Sequence, residues 1–271
     1  MPNAIWTGSI SFGLVTVPVR LYPAEDRGAQ LSFRMLDGRD LAPIKQRRVN
    51  ERTGKEVVWD EIVKGYELED GRWVVLDDDD FTAANVEATQ TIDIISAVCA
   101  DQIDPTYFDK PYYLQPSKAG RKAYALLREA LRDAERVALA KVVIRTRQHL
   151  AAIVPFGDAL VLEILRYPYE LRSAGSLDLP SSDLKASGVT QAELDMAKQL
   201  LSTIEREFDP EDEVYRDTYR DDLLALIERK AAGEAVTIEQ PAPAEEPGGD
   251  VVDIVELLKR SLDEAKERAR G

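Results

Sequence analysis

A chain of 271 residues with an apolar fraction of 44% has room for one large globular domain, or for one domain with an appendage, and it shows neither an apolar run of membrane-spanning length nor an N-terminal secretory pattern. A single cysteine, Cys99, excludes an internal disulfide and a multi-cysteine zinc site, and a single histidine, His149, excludes a two-histidine metal site. The net charge of −15 is concentrated in residues 191–271, which hold 22 acids and 11 bases, so the total does not exclude a nucleic-acid partner elsewhere on the surface.

The first predicted element spans residues 4–22 and has the pattern of extended chain. Apolar residues alternate with Thr and Ser as far as Gly13, and the alternation then changes phase and continues to Leu21. A change of phase at a glycine indicates a bulge or a sharp bend, which helps a sheet to close into a barrel. Pro18 cannot donate to a strand ladder, so we expect it at an edge or a bulge. This stretch is predicted to form the first part of a β-barrel that later segments complete.

Shorter elements are predicted next. Extended segments are expected at residues 31–36, 56–59, 72–76 and 91–98. The acidic run Asp77–Asp80 is expected to end a strand and to cap a short helix over residues 81–86, because carboxylates accept hydrogen bonds from the free N–H groups of a helix start.

The middle of the chain contains a helix and two long strands in this prediction. Residues 101–116 have the pattern of an aromatic connection interrupted by prolines, and Ser117 is expected to cap a helix over residues 118–134. A strand over residues 137–154 turns and returns over residues 159–167. On the first of these strands, Arg145, Arg147 and His149 share one face.

Helices are predicted after about residue 185. Thr190 and Glu193 form a capping box, and Asp209 with Pro210 is expected to begin a second helix that Gly233 ends. After the linker QPAPAEEPGG, an amphipathic helix is predicted over residues 251–268. Strands followed by helices, without βαβ alternation, predict a mixed β and α fold in which a β-barrel carries a helical extension.

Two basic surfaces are candidates for phosphate contact. Residues 44–55 hold five bases and one acid, which suits a hairpin that follows a nucleic-acid backbone without reading its bases, although a solvated charged hairpin explains the same composition. The stripe of Arg145, Arg147 and His149 is the second candidate, although an outward polar face is the commoner reason for such a stripe. The bases of the first surface are Lys45, Arg47, Arg48, Arg52 and Lys55.

No pattern in the sequence indicates an enzyme. A phosphate-binding glycine loop, a nucleophile elbow, zinc-ligand spacing and a lysine-centred nucleotidyl-transfer motif are missing from the sequence. The run Asp77–Asp80 lacks the ligand spacing of a calcium loop. We therefore expect no catalytic residue, no metal and no cofactor.

Four stretches of the sequence closely resemble the bacterial Ku proteins of DNA non-homologous end joining. They are AIWTGSISFGLVTVPVRLYPA, GKEVVWDEIVKGYELEDGRWVVLDDDDF, FDKPYYLQP and MAKQLLSTIEREFDPEDEVYRDTYRDDLLALIERKAAG, and they occur in order over nearly the whole chain. The most specific parts are Ile5-Trp6-Thr7-Gly8, Lys64-Gly65-Tyr66-Glu67 and Phe208-Asp209-Pro210.

The resemblance implies a homodimeric ring that threads onto a double-stranded DNA end, protects and bridges ends, and recruits an ATP-dependent end-joining DNA ligase. It implies a barrel core over residues 1–185 with a DNA-encircling bridge hairpin at about residues 33–70. It further implies a dimerising helical arm over residues 186–233, a flexible linker over 234–249 and a ligase-recruiting helix over 250–271. Such a protein is cytoplasmic, associated with the nucleoid when it holds DNA, and does not bind a membrane.

The resemblance also implies roles for single residues. DNA contact falls on the two basic surfaces together with Arg34 and Lys64. Dimer contact falls on apolar residues of the arm, namely Leu201, Ile204, Phe208, Tyr215, Tyr219, Leu223 and Leu226. Ligase contact falls on the apolar face of the last helix, namely Val251, Ile254, Val255, Leu258 and Leu262. Some relatives carry cysteines near the position of Asn50, and their absence here excludes a metal at that position.

Two other classes of function stay open on the sequence alone. A barrel with acidic patches could be a metal-dependent phosphodiesterase or nuclease, although no spaced set of carboxylates and histidine supports that class. The chain could instead be chiefly an adaptor that displays its last helix to a partner protein. Deletion of residues 250–271 with full retention of DNA binding would separate the DNA-binding role from the adaptor role.

Overall fold

The computed structural model describes residues 3–84, 90–234 and 254–268. The chain divides into two compact units, Met1–Ser173 and Ala174–Gly271, and the division lies before the boundary predicted at residue 185. No helix in the described ranges has both the length and the apolar character that crossing a membrane requires.

Seven strands of the first unit form a closed barrel, which confirms the predicted fold class. The barrel strands are β1 (Trp6–Phe12), β2 (Val15–Pro23), β5 (Thr91–Val98), β6 (Phe108–Pro116), β7 (Val137–Ile144), β8 (Arg147–Phe156) and β9 (Ala159–Leu165). Their order around the barrel is β1-β2-β6-β9-β8-β7-β5, and the parallel pairing of β1 with β5 closes it. A separate two-stranded sheet contains β3 (Lys64–Glu67) and β4 (Trp73–Leu76).

The strand predicted over residues 4–22 is an antiparallel hairpin of β1 and β2. Its change of phase is the hairpin turn, where Gly13 has a φ of 59°, a conformation that glycine adopts without strain. Ile10, Val17 and Leu21 are fully buried on the inner face of the barrel. The alternation of apolar and polar residues therefore predicted the buried face correctly, and the sharp bend predicted at Gly13 is confirmed.

The expectation that Pro18 lies at an edge or a bulge is wrong, because it pairs with Ser9 within the continuous β1–β2 ladder of the closed barrel. Pro18 and Pro111 instead lie just beyond the two ends of the β2–β6 ladder. Pro18 is one residue beyond the last pair of the β2–β6 ladder, and its carbonyl accepts a hydrogen bond from the N–H of Ser117 at 2.9 Å. Pro111 lies beyond the other end of the same ladder, and its carbonyl accepts from the N–H of Ala24 at 3.2 Å. The N–H and C=O of a strand residue point to the same side, so each missing N–H falls outside the ladder.

The prediction that residues 101–116 form a connection is wrong, because this segment contains the barrel strand β6 between β2 and β9. The prolines of the segment argued against a central strand on general grounds. Their positions relative to the ladder remove that objection, but those positions follow from the pairing of distant strands and not from the local sequence.

The prediction of a single strand over residues 137–154 is also wrong. It is two strands, β7 and β8, joined by a tight turn in which Arg145 adopts a φ of 60°. The proposed stripe is therefore broken, since Arg145 lies in the turn while Arg147 and His149 lie on β8. The turn after β8 and the return strand β9 are confirmed.

A helix packs on the barrel and completes its core. This helix, α2 (Arg121–Asp133), contacts β2 and β8 and buries Tyr124, Leu127 and Leu131. The hydroxyl of Tyr124 donates to the carbonyl of Leu114 at 2.7 Å and accepts from the N–H of Leu160 at 2.5 Å. The helix begins after Gly120 and not directly after Ser117, whose side chain caps the preceding turn.

The insert between β2 and β5 contains little regular structure before β3. The strands predicted at residues 31–36 and 56–59 are wrong: the first segment contributes a bridge between Leu36 and Pro43, and the second runs into the 3-10 turn Trp59–Glu61. The segment predicted at residues 72–76 is confirmed as β4. Short apolar runs without a neighbouring ladder do not hold a strand.

The acidic run of the insert lies at the start of a helix, as predicted, but Asp78–Asp80 are residues of the helix itself and do not precede it. This helix, α1 (Asp78–Ala84), starts earlier than the predicted residue 81, and residues 85 and 86 lie outside the described ranges. Asp77 and Asp80 cap each other: the N–H of Asp80 donates to Asp77 Oδ1 at 2.9 Å, and the N–H of Asp77 donates to Asp80 Oδ2 at 3.0 Å.

Within the described residues, the second unit contains helices α3 (Gln191–Ile204), α4 (Thr218–Ala231) and α5 (Ile254–Arg268). Between α3 and α4 the chain is irregular apart from the 3-10 turn Glu213–Tyr215. The capping box of Thr190 and Glu193 is confirmed, and Gly233 follows the end of α4 with a φ of 79°. The predicted start of α4 at Asp209 is wrong, because Asp217 caps this helix. An aspartate-rich run offers several capping residues, and the sequence does not rank them.

Candidate nucleic-acid interface

The basic segment 44–55 is a small exposed hairpin. Val49 bridges Glu56, and the N–H of Asn50 donates to the carbonyl of Lys55 at 2.8 Å. At the tip, Gly54 has a φ of 67°, and Asn50 Oδ1 accepts from the N–H groups of Arg52 and Thr53 at 3.1 Å and 3.0 Å. The sequence predicted this turn through Asn and Gly, and the turn places the Arg52 side chain at the tip of the hairpin.

Some of the predicted DNA-contacting cations already have partners. Arg47 pairs with Glu56 at 2.8 Å across the hairpin, and the guanidinium of Arg48 lies over the Trp59 ring. Lys64 pairs with Asp78 at 3.0 Å, and its ammonium group also lies over the ring of Phe81. All three cations stay exposed. The carboxylates of Glu56 and Asp78 offset part of the charge of Arg47 and Lys64, whereas the ring contact of Arg48 does not neutralise its charge.

Other predicted cations of the insert have no acidic partner among the described residues. These are Arg34, Lys45, Arg52 and Lys55, and all four are exposed. An exposed cation without a local carboxylate keeps its full attraction for phosphate. The hairpin therefore carries two kinds of cation: those held by neighbouring side chains and those free to bind.

The second predicted surface lies at one end of the barrel, at the β7–β8 turn. Arg145 is exposed there, whereas Arg147 donates to Glu170 at 2.5 Å. Burial lowers the pKa of His149, and the nearby Arg147 lowers it further. His149 is therefore neutral at pH 7 and adds no charge to this surface. Of the two arginines in the predicted stripe, Arg147 pairs with Glu170, whereas Arg145 has no acidic partner within the described part of the chain.

A cavity of about 560 Å³ opens beside this turn. Its lining includes Lys110, Arg145 and His149 together with the acids Glu25 and Asp109. The sequence did not predict that Lys110 lies beside this basic surface, because residues 101–116 were predicted to form a connection and not a barrel strand. Sequence reasoning also missed Trp59, although an aromatic residue beside a basic run is a pattern that could have drawn attention to it.

The described ranges contain no group of three His, Cys, Asp or Glu side chains that could hold a metal ion. Within the acidic run, Asp77 and Asp80 cap α1 and Asp78 pairs with Lys64. These three carboxylates therefore have structural partners in the fold.

The arm residues predicted to form the dimer interface are apolar and largely exposed. Leu201 is 63% exposed and Ile204 is 53% exposed, and with Tyr215 they line a groove of about 550 Å³. The ring of Phe208 packs on Tyr215 at a centroid distance of 5.2 Å. On α4, Tyr219 is exposed, whereas Leu223 and Leu226 are half-buried.

The residues predicted to bind ligase lie on α5, apart from Val251, which is outside the described ranges together with most of the linker. Ile254 is exposed, and Val255, Leu258 and Leu262 are half-buried. In this chain α5 packs against α3.

Comparison with known proteins finds one family over most of the chain. The Ku70/Ku80 beta-barrel domain family matches residues 11–196. This range includes the barrel apart from most of β1, the whole insert with its basic hairpin and the start of α3.

Curated relatives match nearly the whole length. A protein of Opitutus terrae named "Non-homologous end joining protein Ku" is 45% identical over 99% of this chain and 94% of its own length. Proteins with the same name from Cupriavidus necator and Pseudomonas aeruginosa are 47% and 44% identical. They are matched over 97% and 100% of this chain and over 78% and 90% of their own lengths.

Proposed function

This chain belongs to the Ku family, and on that premise we propose that it binds double-stranded DNA ends as a homodimer in non-homologous end joining. The observation that carries the proposal is the exposed hairpin on which Lys45, Arg52 and Lys55 have no acidic partner within the described part of the chain. Such cations contact phosphate and sugar without reading bases, so binding is independent of sequence and weakens with salt.

The proposed complex is a ring. Two hairpin-bearing barrels, joined through their arms, surround the duplex, and a closed ring loads only where the duplex stops. Preference for ends then comes from topology and requires no base contact. The exposed apolar side chains of the arm support the homodimer, because an apolar groove of this kind is typical of a surface that a partner covers.

Apolar exposure within the insert also supports the homodimer. Large side chains of the β3–β4 sheet and its surroundings, including Trp59, Tyr66 and Trp73, are each more than 60% exposed. Aromatic side chains of this size bury a large apolar area when a partner covers them, which makes the free energy of association more favourable. They are enriched at protein interfaces. In the proposed ring this part of the insert meets the second copy or the duplex.

The proposed role continues from holding ends to joining them. We assign recruitment of an ATP-dependent end-joining ligase to the amphipathic helix α5, which follows the proline-rich linker. A helix on such a linker can dock in a groove of a partner protein while the barrel stays on DNA. The ring itself supplies no catalytic group in this proposal and keeps two ends protected and close together.

The test reverses the charge of Lys45, Arg52 and Lys55 to Glu and measures the affinity for a short linear duplex over a range of salt concentrations. Each lost phosphate contact makes the plot of log K against log salt less steep by about 0.9, so the three substitutions on both subunits of the dimer reduce the steepness by roughly five. The matched control carries Arg172→Glu, Lys185→Glu and Lys230→Glu, the same change in charge at exposed positions outside the hairpin. Equal binding by the two variants would show that the hairpin is not the DNA-binding surface.

A further inference from the structure

The last helix covers its own apolar face with another helix of the same chain. The half-buried residues of α5 recur at spacings of three and four, at Val255, Leu258, Leu262 and Ala265. Ile254, just outside this stripe, is 59% exposed. Because α5 packs against α3 and an amphipathic helix turns its buried stripe to its neighbour, this stripe faces α3.

On the other side of the contact, α3 has two neighbouring faces. Met196, Leu200 and Thr203 are half-buried and recur at spacings of four and three, as expected for the face that meets α5. Leu201 and Ile204 lie next to this face and stay exposed. One side of α3 therefore holds α5, and the other remains open for the proposed dimer contact.

We propose that α3 masks the partner-binding face of α5 in the free protein, and that the ligase binds the fraction of molecules from which α5 has been released. This inference rests on the proposed role of α5 in ligase recruitment. It follows from an overlap: Val255, Leu258 and Leu262 belong both to the stripe that α3 covers and to the residues assigned to ligase contact. The same stripe cannot contact two helices at once.

The mask has physical properties that distinguish it from DNA binding. The helix α5 carries four acids and four bases, so its contact with α3 depends on apolar burial and responds weakly to salt. A helix of 15 residues is only marginally stable alone, so α5 gains order from whichever partner covers it. The apparent affinity for ligase falls in proportion to the released fraction, and a released fraction of about one-tenth weakens it tenfold.

The experiment disrupts the mask without changing α5. Leu200→Asp places a charge on the covered face of α3, and Gln199→Asp places the same charge at an exposed position one residue away. Met196→Asp repeats the disruption at a second position and replaces Leu200→Asp if that variant does not fold. Two quantities are measured on the full chain: hydrogen exchange of residues 254–268 without ligase, and affinity for the purified ATP-dependent end-joining ligase of the same organism.

We expect Leu200→Asp to speed exchange in residues 254–268 about tenfold and to tighten ligase binding by a similar factor, while Gln199→Asp changes neither. Unchanged exchange in Leu200→Asp and Met196→Asp would overturn the mask. Faster exchange with equal ligase affinity in the variant and the original chain would also overturn it, and would leave the proposed function intact. Absence of ligase binding in every variant, with exchange changed as expected, would overturn the proposed role of α5 and the mask that rests on it.

Discussion

The guanidinium carbon of Arg48 lies 4.1 Å from the centroid of the Trp59 ring. The two residues face each other because the N–H of Val57 donates to the carbonyl of Arg48 at 2.9 Å. This hydrogen bond holds the residues after the hairpin turn beside the residues before it. A cation over the face of an indole is attracted by the ring quadrupole and keeps its charge available to a phosphate on its other side. The tryptophan therefore positions an arginine that is assigned to DNA.

Replacing Trp59 tests this relationship. An exposed cation–π contact is worth about 0.5–1 kcal/mol, so Trp59→Ala is expected to weaken binding to a linear duplex roughly two- to fivefold. Trp59→Phe keeps an aromatic face and is expected to bind within twofold of the original chain. Affinities measured by fluorescence anisotropy at one fixed salt concentration decide the matter. Tight binding by Trp59→Ala would mean that Arg48 is positioned by other contacts or does not bind phosphate.

The bridge that Tyr124 forms between β6 and β9 predicts a loss of stability. Tyr124→Phe leaves the carbonyl of Leu114 and the N–H of Leu160 buried without their partner, which costs about 1–3 kcal/mol. Urea unfolding measures this cost. Tyr113→Phe, at a more exposed position of β6, is the control and should change stability by less than about 0.5 kcal/mol. Equal stability of the two variants would show that the bridge contributes nothing.

His149 predicts a pH dependence with a definite sign. Its pKa is lowered in the folded chain, chiefly by burial, so below the ordinary value of 6.5 the unfolded chain binds a proton that the folded chain does not. The histidine therefore contributes stability that is present above pH 6.5 and is lost as the pH falls. Between pH 7 and pH 5 the original chain should lose more stability than His149→Gln. Since the chain has one histidine, the difference between the two slopes belongs to His149. Parallel slopes would contradict a lowered pKa for His149 in the folded chain.

The exposed groove of the arm predicts a monomeric variant. Leu201→Asp with Ile204→Asp puts two charges on the surface assigned to the second copy, which should convert the dimer to a monomer at micromolar concentration in sedimentation experiments. The single change Gln199→Asp, on the same helix but outside the groove, should leave the dimer intact. A double variant that remains dimeric would move the interface away from α3.

The sequence predicted the parts of the structure that depend on local chemistry. The alternation around Gly13, the capping box of Thr190 and Glu193, and the turn at Asn50 are each determined by residues within a few positions of one another, and each is confirmed. The barrel as a fold class followed from the order of strands and helices. The family resemblance followed from long stretches of specific sequence and is shown by the relatives.

The structural features that could not be predicted from the sequence depend on contacts between residues far apart in the chain or on a specific backbone conformation. Pro111 is compatible with a barrel strand because the β2–β6 ladder ends before it. The turn at Arg145 requires a left-handed backbone conformation, which an arginine in the sequence does not indicate. The division of the basic hairpin into paired and free cations also needed the structure, because Arg47 meets Glu56 across the hairpin. The assignments to DNA, dimer and ligase contact remain predictions for the residues concerned.

The most direct measurement compares binding to a linear duplex with binding to a covalently closed circle of the same sequence, each at two salt concentrations. If the protein is a ring that threads onto ends through the cations of its hairpin, the linear form is retained, the circle is not, and retention weakens as salt rises. Equal retention of circle and linear duplex would contradict threading and would mean that DNA binds to an open surface patch.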